Sequence, residues 1–596
     1  MLIGTLKDWT NAYLNGADPS VLLEQQRLAC LESDPAWISI ATASQLQRQI
    51  ADLALLKQAH GLEHLPLYGI PFAVKDNIDV AGFRTTAACE AFAYAASEDA
   101  FAVRQLKRAG AIVMGKTNLD QFATGLVGTR SPYGAVPNVF DPALISGGSS
   151  SGSASAVARG LVPFALSTDT AGSGRIPAGL NQIVGIKPTP GAVSCTGLVP
   201  ACRTLDCIGV LACTVADSAL VLSVMEGADA SDPYSKERPH SVKHIPFSKL
   251  RIAVPARRQL SKAYETAFSA YLAMLKASTA QLDEVAFDTL FDVARLLYQG
   301  PWVAERVVAA GRIYDSCPEH MLPTVKNVLD VAQQFDATDT FKAQYRLQAL
   351  RRDAEKIWAH ADVLCVPTAP RHPSIEEVAN DPIAVNSELG IYTNFVNLLG
   401  WSAIALPASR LPDGLPFGVT LIAPAWREPD LVRWAMQLEQ QVNLPAGVTG
   451  LRATPEFAQQ SWRFAPSADR IKVAVVGAHL RGMPLNGELE NCDARLLQET
   501  CSAPNYRLFA LHGTKPPKPA LVRSESGAPI VLEVWDMPVA NFGRFVAGIP
   551  QPLGIGNVML ESGETVKGFI CESHALQEAT DITDFGGWRA YCNRQT

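Results

Sequence analysis

The sequence predicts an α/β protein that carries a second, smaller α+β domain. From Leu65 onward, short apolar runs bounded by Gly and Pro alternate with helix-like segments, which is typical of α/β layers. A turn-rich stretch without a clear period, residues 447–466, then precedes a fresh strand-like segment, IKVAVVGAHL. We therefore predict a domain over residues 1–450, a linker over 451–469 and a C-terminal domain over 470–596.

The composition narrows the class of protein. The 596 residues are 48% hydrophobic and 18% charged, with a net charge of −7, which is ordinary for a soluble globular protein. This balance offers no basic patch for nucleic acid or an anionic membrane. No apolar run reaches the roughly 20 residues of a membrane helix, and the first residues lack the pattern of a secretory signal. We expect a soluble, cytoplasmic protein that binds neither nucleic acid nor a membrane.

We expect no metal ion and no cofactor. The 12 cysteines form no CxxC motif and are interpreted as reduced, mostly buried thiols. Two histidine pairs, His60–His64 and His240–His244, have the spacing of zinc ligands. The first pair lies where a helix is predicted to end and the second in a Pro-flanked loop, whereas such a pair needs a continuous helix to share one face.

The individual elements follow from local patterns. Residues 1–60 are predicted to be helical, because apolar residues recur every three or four positions, and so are residues 262–280 and most of 303–353. Further segments are short, apolar and bounded by turn residues, as strands are. In chain order these strand-like segments are PLYGIPFAVKD, GAIVMGKT, RIAVPA, ADVLCVPTAP, SAIALPA and FGVTLIAPA, followed in the C-terminal domain by YRLFAL, APIVLEVWDM and ETVKGFIC.

The stretch ISGGSSSGSA, residues 145–154, could be a flexible linker or an active-site loop. It lies within structured sequence and is followed by a helix-like segment, which favours a loop whose backbone N–H groups face a ligand. The five residues centred on Ser150, GSSSG, match the nucleophile-elbow pattern GxSxG. That motif requires a strand directly before it, and none is predicted there, so we interpret the match as accidental.

A second small-residue loop offers a better nucleophile. The strand-like FALSTD leads into TAGSG, which places Ser173 just beyond the strand end. Backbone N–H groups around it are candidates for an oxyanion hole, namely those of Thr170, Ala171, Gly172 and Ser173. The candidate base is Lys75, at the end of an apolar strand, because burial lowers the pKa of an amine. The alternative for Lys75 is a side chain that reaches water from the strand end.

The segment GGSSSGSASAVARGLVPFALSTDTAGSGRIPAGLNQIVGIKPT resembles the signature of the amidase signature family of serine hydrolases. The lysine segment GIPFAVKDNIDV, GKTNLDQFATG and LDCIGVLACTVADSALVL fit the same pattern, so the resemblance spans roughly residues 65–424. It implies an α/β/α sandwich with a central mixed sheet and a Ser–cisSer–Lys mechanism. In that mechanism Ser173 is the nucleophile, Ser149 the bridging serine after a cis peptide bond, and Lys75 the base.

Two further resemblances narrow the substrate. LYQGPWVAERVVAAG is similar to a segment of allophanate hydrolases, a group within that family, and implies that Tyr298 and Arg306 bind a substrate carboxylate, as a planar guanidinium can. The alternative is that Arg306 pairs with an acid such as Glu305 while Tyr298 belongs to the core. VAVVGAHLRGMPLN and GGWRAYC resemble the C-terminal domain of the same group, which implies a fold like that of γ-glutamyl cyclotransferases.

The resemblance implies hydrolysis of allophanate, a small-molecule substrate, to ammonia and CO2 through N-carboxycarbamate during urea degradation. The C-terminal domain would either promote the decarboxylation, with His479 as acid or orienting group, or serve assembly. A homodimer and urea carboxylase as metabolic partner are also implied. Two rival functions remain open: an amidase or transamidase for another small amide, and a catalytically silent scaffold subunit.

Overall fold

The computed structural model describes residues 1–32, 35–239, 245–278, 281–453, 470–492 and 494–595. Most of the predicted linker and both His240 and His244 lie outside the described residues. The chain divides into two compact units, Met1–Arg238 with Ile245–Ala465, and Pro239–His244 with Pro466–Thr596.

The strands of the large unit are β1 Trp37–Ile40, β2 Pro71–Lys75, β3 Arg84–Thr85, β4 Tyr94–Ala95, β5 Ile112–Thr117, β6 Phe164–Asp169, β7 Val184–Lys187, β8 Cys207–Ala212, β9 Arg251–Pro255, β10 Gln281–Val285, β11 Val363–Pro367, β12 Ser402–Arg410 and β13 Pro416–Ala423.

The α-helices of the large unit are α1 Leu6–Leu14, α2 Pro19–Leu31, α3 Ala43–His60, α4 Phe101–Arg108, α5 Ser151–Ala158, α6 Arg175–Leu180, α7 Val215–Met225, α8 Lys262–Ser278, α9 Asp288–Gln299, α10 Val303–Ala310, α11 Arg312–Ser316, α12 Pro323–Asp330, α13 Ala337–Ala354, α14 Ile375–Asn380, α15 Ala384–Leu389, α16 Asn394–Leu398 and α17 Glu428–Val442.

A mixed 11-stranded sheet organises this unit, in the order β1-β5-β2-β6-β8-β7-β12-β13-β11-β9-β10. Strands β2, β5 and β6 run parallel, whereas β8 is antiparallel to β6. The predicted α/β class with a central mixed sheet is confirmed.

The parallel pairing of β2 and β6 places the site. Val74 faces Leu166 across the pair, so the carboxyl ends of both strands meet at one edge of the sheet. Every residue of β2 and of β6 is buried, and Val74 and Leu166 share a hydrophobic core with Ala154 of α5. A sheet covered on both faces buries consecutive strand residues in this way.

The helical prediction for residues 1–60 is wrong at one segment. Trp37–Ile40 forms the edge strand β1, which pairs antiparallel with β5. The sequence WISI is short and rich in β-branched and aromatic residues, and it lies between two helices whose periodicity obscures it. The helices around it begin as capped helices do: Thr42 at the N-cap of α3 accepts a hydrogen bond from the N–H of Gln45.

The C-terminal unit is smaller and mainly β. Its strands are β14 Arg470–Val475, β15 Arg495–Cys501, β16 Tyr506–Ala510, β17 Pro519–Arg523, β18 Val531–Pro538, β19 Leu553–Met559, β20 Thr565–Cys571 and β21 Thr580–Asp581, and its α-helices are α18 Asn486–Glu490, α19 Val539–Ala547 and α20 Trp588–Gln595. A five-stranded sheet in the order β15-β18-β14-β20-β19 and a three-stranded sheet, β17-β16-β21, build it. The predicted second α+β domain is confirmed, while its likeness to γ-glutamyl cyclotransferases stays a prediction. In the parts of the chain that the structure describes, no helix is both long and apolar enough to cross a bilayer.

Candidate active site

Lys75 ends β2 with no exposed surface. Its Nζ lies 2.8 Å from Ser149 Oγ and 2.6 Å from Thr168 Oγ1. Burial lowers the pKa of the Lys75 amine to about 7, although nearby carboxylates, Asp120 foremost, act in the opposite direction. The side chain therefore does not reach water, which removes the alternative interpretation of this lysine, and its amine can be neutral near neutral pH.

Ser149 lies in the tight loop that leads into α5 and is fully buried. The peptide bond between Gly148 and Ser149 is cis, as the resemblance implies. A side chain at Gly148 would collide with the Asp120 carboxylate and with the backbone nitrogen of Gly128. Only glycine therefore fits at this position, and the loop is pressed against the segment that carries Asp120.

Ser173 lies in the turn between β6 and α6 and is 2% exposed. The Ser150 N–H donates to the Ser173 carbonyl at 3.2 Å, which joins the two small-residue loops. The Ser173 hydroxyl donates to the Gly125 carbonyl at 3.4 Å. Among the described residues, no hydrogen bond joins Ser173 Oγ to Ser149 Oγ. A proton can pass between these two hydroxyls only once such a hydrogen bond has formed.

A buried ion pair shapes the Ser173 turn. Arg175 Nε and Nη2 each donate to the Asp169 carboxylate at 2.9 Å, and the N–H groups of Gly172 and Gly174 donate to the same carboxylate at 2.8 and 3.3 Å. Burial by itself raises the pKa of Asp169, but the Arg175 charge and these hydrogen bonds outweigh it and hold the pKa below its usual value.

This arrangement changes the predicted oxyanion hole. The Gly172 N–H is directed to Asp169 and is not available to a substrate. The N–H groups of Thr170, Ala171 and Ser173 have no acceptor among the described residues. Gly172 has a φ of +124°, a conformation that favours glycine and turns the chain beneath the nucleophile.

Two more buried carboxylates act on the site. Asp120 accepts from the N–H groups of Val127, Gly128 and Arg130 at 3.2, 3.1 and 2.9 Å, which organises the loop facing Ser149. The Thr170 hydroxyl donates to Asp206, and burial raises the pKa of Asp206 to about 6.

Tyr298 and Arg306 lie together, on α9 and α10. Arg306 Nη2 donates to the Tyr298 hydroxyl at 3.2 Å, and its guanidinium carbon lies 5.1 Å from the centre of the Tyr298 ring. Arg306 Nη1 donates to Thr124 Oγ1 at 3.1 Å and to the Ala123 carbonyl at 3.4 Å. Since Ser173 contacts Gly125, Arg306 and Ser173 form hydrogen bonds to neighbouring residues of one loop, residues 123–125.

The alternative for Arg306, an ion pair with Glu305, is not found. Glu305 accepts instead from the N–H of Thr204 at 3.0 Å and from the Thr204 hydroxyl. Arg306 is 2% exposed, and its Nε has no hydrogen-bond partner among the residues that the structure describes. A cavity of about 880 Å³ is lined by Tyr298 together with Arg130 and Asn386.

In the C-terminal unit, His479 follows β14 in a turn, as the sequence indicates. Its Nε2 lies 2.9 Å from a Glu488 carboxylate oxygen, and its ring stacks on Phe569 with centroids 5.0 Å apart. Burial lowers the pKa of His479, although Glu488 acts in the opposite direction. His479 and Glu488 line a cavity of about 230 Å³ that also includes Lys515 and Lys518.

In the described part of the chain, no three histidine, cysteine or carboxylate side chains are placed to hold a metal ion. Helix α3 ends at His60, and His64 Nδ1 lies 2.8 Å from the His60 carbonyl oxygen.

Comparisons with known proteins place the fold and site in a family. The amidase family model matches residues 29–432, and the model of the allophanate hydrolase C-terminal domain matches residues 471–593. The urea amidolyase of Lachancea kluyveri is 45% identical over 96% of this chain, and that of Saccharomyces cerevisiae is 43% identical over 98%. The chain spans about a third of the length of these curated relatives, 32% and 33%.

Among solved structures, a Kluyveromyces lactis allophanate hydrolase is 41% identical, with a TM-score of 0.85, over 100% of this chain and 99% of that chain. These matches cover both units and include every residue of the site described above. The chain therefore belongs to the amidase family, and its residues 471–593 match the allophanate hydrolase C-terminal domain.

Proposed function

We propose that this chain is an amidohydrolase that hydrolyses allophanate, a urea that carries a carboxylate on one of its two nitrogens, with Ser173 as nucleophile, Ser149 as bridging serine and Lys75 as base. The observation that carries the proposal is the contact between the buried Lys75 amine and Ser149 Oγ, at 2.8 Å, with a Lys75 pKa of about 7. A base works best when its pKa lies near the working pH. The relative from Kluyveromyces lactis, which is named allophanate hydrolase, supports the choice of substrate.

Lys75 already contacts Ser149, whereas proton transfer from Ser173 requires a hydrogen bond between the two serine hydroxyls to form first. Ser173 Oγ attacks the terminal carbamoyl carbon and gives its proton to Ser149 Oγ as Ser149 gives its own to neutral Lys75. The C–N bond to the terminal amino group then breaks, and the same path in reverse protonates the leaving ammonia. Water releases N-carboxycarbamate from the acyl-enzyme by the equivalent steps.

The developing oxyanion needs donors that are fixed before the reaction begins. The N–H groups of Thr170, Ala171 and Ser173 are in the Ser173 turn and have no acceptor among the described residues. One such donor is worth about 10²–10³ in rate. The Asp169–Arg175 pair keeps these donors in position by holding the turn from below.

The substrate carboxylate is assigned to Tyr298 and Arg306. Arg306 is buried, has an Nε without a partner and forms no ion pair with Glu305, which are the properties of a cation available to an anionic ligand. Arg306 contacts Ala123 and Thr124, and Ser173 contacts the carbonyl of the next residue, Gly125, so both side chains contact the same loop. A small substrate with a carboxylate beside its amide suits a cation held on the same loop as the nucleophile.

We further propose that the C-terminal unit promotes the second step, the loss of CO2 from N-carboxycarbamate to give carbamate. The carbamate then yields the second ammonia and CO2. His479, held by Glu488 beside Lys515 and Lys518, is the group that orients the dianion or supplies a proton. A role in assembly is the competing proposal for this unit.

Allophanate is carboxylated urea, so a urea carboxylase is the metabolic partner that we propose, and the name urea amidolyase of two relatives supports a link to urea. We also propose a homodimer, which the resemblance implies, and a cytoplasmic location, which the composition favours.

The test is ammonia release by the pure protein from allophanate, acetamide, malonamate and glutamine. We expect rapid release from allophanate, a loss of all activity in Ser173→Ala and near-complete loss in Lys75→Ala. Brisk hydrolysis of a neutral amide without turnover of allophanate supports an amidase or transamidase for another amide. No turnover of any of the four amides supports a scaffold subunit.

A further inference from the structure

A second buried arginine adjoins the proposed carboxylate site. Arg130 is 4% exposed and follows the loop that Asp120 organises. Its Nη1 donates to the Thr124 carbonyl at 3.0 Å, and its Nη2 donates to the Pro382 carbonyl at 2.6 Å. Neither the spacing nor the patterns of the sequence distinguish Arg130 from a structural residue.

Arg130 and Arg306 converge on one residue. Arg306 Nη1 binds the Thr124 hydroxyl, and Arg130 Nη1 binds the Thr124 carbonyl. Burial and the positive charge of Arg306 both lower the pKa of Arg130, and burial is the larger cause. The two guanidinium groups are therefore electrostatic neighbours inside the protein.

Neither guanidinium has a carboxylate within ion-pair distance among the described residues, and the Nε of each is buried without a hydrogen-bond partner. Asp120 also acts on Arg130, but its oxygens are occupied by three backbone N–H groups. Asp206 and Glu305 likewise act on Arg306 from beyond ion-pair distance. Two neighbouring buried cations with no acid paired to either are costly unless an anion joins them.

The cavity gives such an anion access to Arg130. Arg130 and Tyr298 line the same cavity of about 880 Å³, which also contains Asn394, whose buried Oδ1 lacks a partner. Tyr298 in turn contacts Arg306 through its hydroxyl. An anion in this cavity meets Arg130 and Tyr298 directly, and Arg306 lies behind the Tyr298 hydroxyl to which it donates.

We propose that Arg130 is a second specificity-determining residue, which with Arg306 forms a two-guanidinium subsite for the carboxylate of a small amide substrate. This inference rests on the proposed function, because both concern the same carboxylated substrate. It adds Arg130 as a residue that selects substrates by their charge. A single arginine fork binds one edge of a carboxylate, whereas two guanidiniums bind it from two sides and favour it over a neutral amide.

The test compares anionic and neutral ligands of equal size. Malonamate carries a carboxylate where malonamide carries a second, neutral amide. Malonate is a non-reacting probe whose Kd can be measured by calorimetry. For Arg130→Met we expect the malonate Kd and the KM for allophanate and malonamate to rise about 10- to 100-fold, as for a lost charge-assisted contact. The kcat/KM for malonamide should stay within about threefold, because a neutral amide makes no use of the second charge.

Arg351→Met is the matched control. Arg351 also binds a backbone carbonyl, that of Leu398 at 2.7 Å, and its Nε likewise has no partner, but it lies on α13 and does not line the cavity. We expect this variant to keep the wild-type malonate Kd. Arg130→Lys, which keeps the charge but loses the planar fork, should recover part of the malonate affinity, and it carries the test if the methionine variant does not fold.

The outcomes separate the two proposals. Two results overturn the inference, because Arg130 then only supports the Thr124 turn. The first is an equal loss of activity toward malonamide and malonamate in Arg130→Met. The second is a wild-type malonate Kd in both Arg130→Met and Arg130→Lys. If the wild-type protein does not hydrolyse allophanate but its malonate affinity still depends on Arg130, the proposed function fails and the subsite stands.

Discussion

Asp169 and Arg175 form a bidentate ion pair beneath the turn that carries Ser173, with both N–H···O distances at 2.9 Å. Asp169 ends β6 and Arg175 begins α6, so the pair closes the turn between the strand and the helix. The same carboxylate accepts the N–H groups of Gly172 and Gly174. The proposed nucleophile, and the neighbouring N–H groups that have no acceptor in the described part of the chain, thus depend on one buried acid.

Removal of the negative charge at this acid should damage stability and activity together. In Asp169→Asn the Arg175 guanidinium stays buried without its counter-ion, and breaking such a pair costs about 3–5 kcal/mol. We expect this loss in the free energy of unfolding measured with urea, with a kcat reduced at least about 100-fold because the oxyanion donors shift. Asp362→Asn is the control, since Asp362 pairs with Arg251 in a more exposed position. Wild-type kcat in Asp169→Asn would contradict the role of the pair.

The activity should follow the protonation of Lys75. Because the proposed base must be neutral, kcat/KM is expected to rise with pH through about 7, the pKa to which burial lowers this amine. Below that pH, Lys75 is protonated and cannot take the Ser149 proton. A pH profile of kcat/KM for malonamate measures the ascending limb. An activity independent of pH between about 5 and 9 contradicts a lysine base with the lowered pKa of Lys75.

Thr168 should tune this base. Its Oγ1 lies 2.6 Å from Lys75 Nζ and accepts a hydrogen bond from the charged amine more strongly than from the neutral one. Thr168→Val removes this stabilisation of the charged form, so the ascending limb should move by about one pH unit toward acid. The plateau of kcat should also fall by about tenfold, because the amine is held by fewer contacts.

Ser167→Ala is the matched control for Thr168→Val. Ser167 is the preceding residue of β6, and its buried hydroxyl has no hydrogen-bond partner. We expect it to keep the wild-type pH profile. A Thr168→Val profile that overlays the wild-type one removes Thr168 from the electrostatics of Lys75.

Some residues of the site can be predicted from local sequence and others cannot. Lys75 and Ser173 are accessible to such a prediction because each lies at the end of an apolar run, where a strand is expected to stop. Thr168 is not, because β6 is buried on both faces and its polar residues show no alternation. Ser149 requires the resemblance, since nothing in local sequence indicates that its loop returns to β2.

Long-range partners explain the remaining differences. The Gly172 N–H is predicted to face an oxyanion, but Asp169 accepts it, and the acid's orientation depends on Arg175 across the turn. The sequence signal that could have indicated this contact is an acidic residue, Asp169, and a basic residue, Arg175, on the two sides of a glycine-rich turn. Strand β1 escapes prediction because its pairing with β5, more than 70 residues away, decides its structure rather than its own propensity.

Arg306 should discriminate by substrate charge. In Arg306→Met the substrate carboxylate loses its donor, so the KM for allophanate should rise about 100-fold, while malonamide should lose at most about threefold in kcat/KM. Steady-state kinetics with both substrates measure the difference. Tyr298→Phe, which removes only the hydroxyl that contacts Arg306, should show the same trend with a smaller change. An equal loss for the neutral amide in Arg306→Met contradicts a carboxylate-binding role.

His479 should affect the second ammonia and not the first. If the C-terminal unit promotes decarboxylation, His479→Ala leaves Ser173 chemistry intact, so the first ammonia appears at the wild-type rate while the second and the CO2 lag behind it. The physical reason is that His479, held by Glu488 at 2.9 Å and stacked on Phe569, is a titratable group that lines the cavity of this unit. Timed measurement of ammonia and CO2 from one batch of allophanate resolves the two phases.

His574→Ala, at an exposed position of the same unit, is the control. Equal rates for both ammonia molecules in His479→Ala, with a change in oligomeric state, favour assembly as the role of the unit.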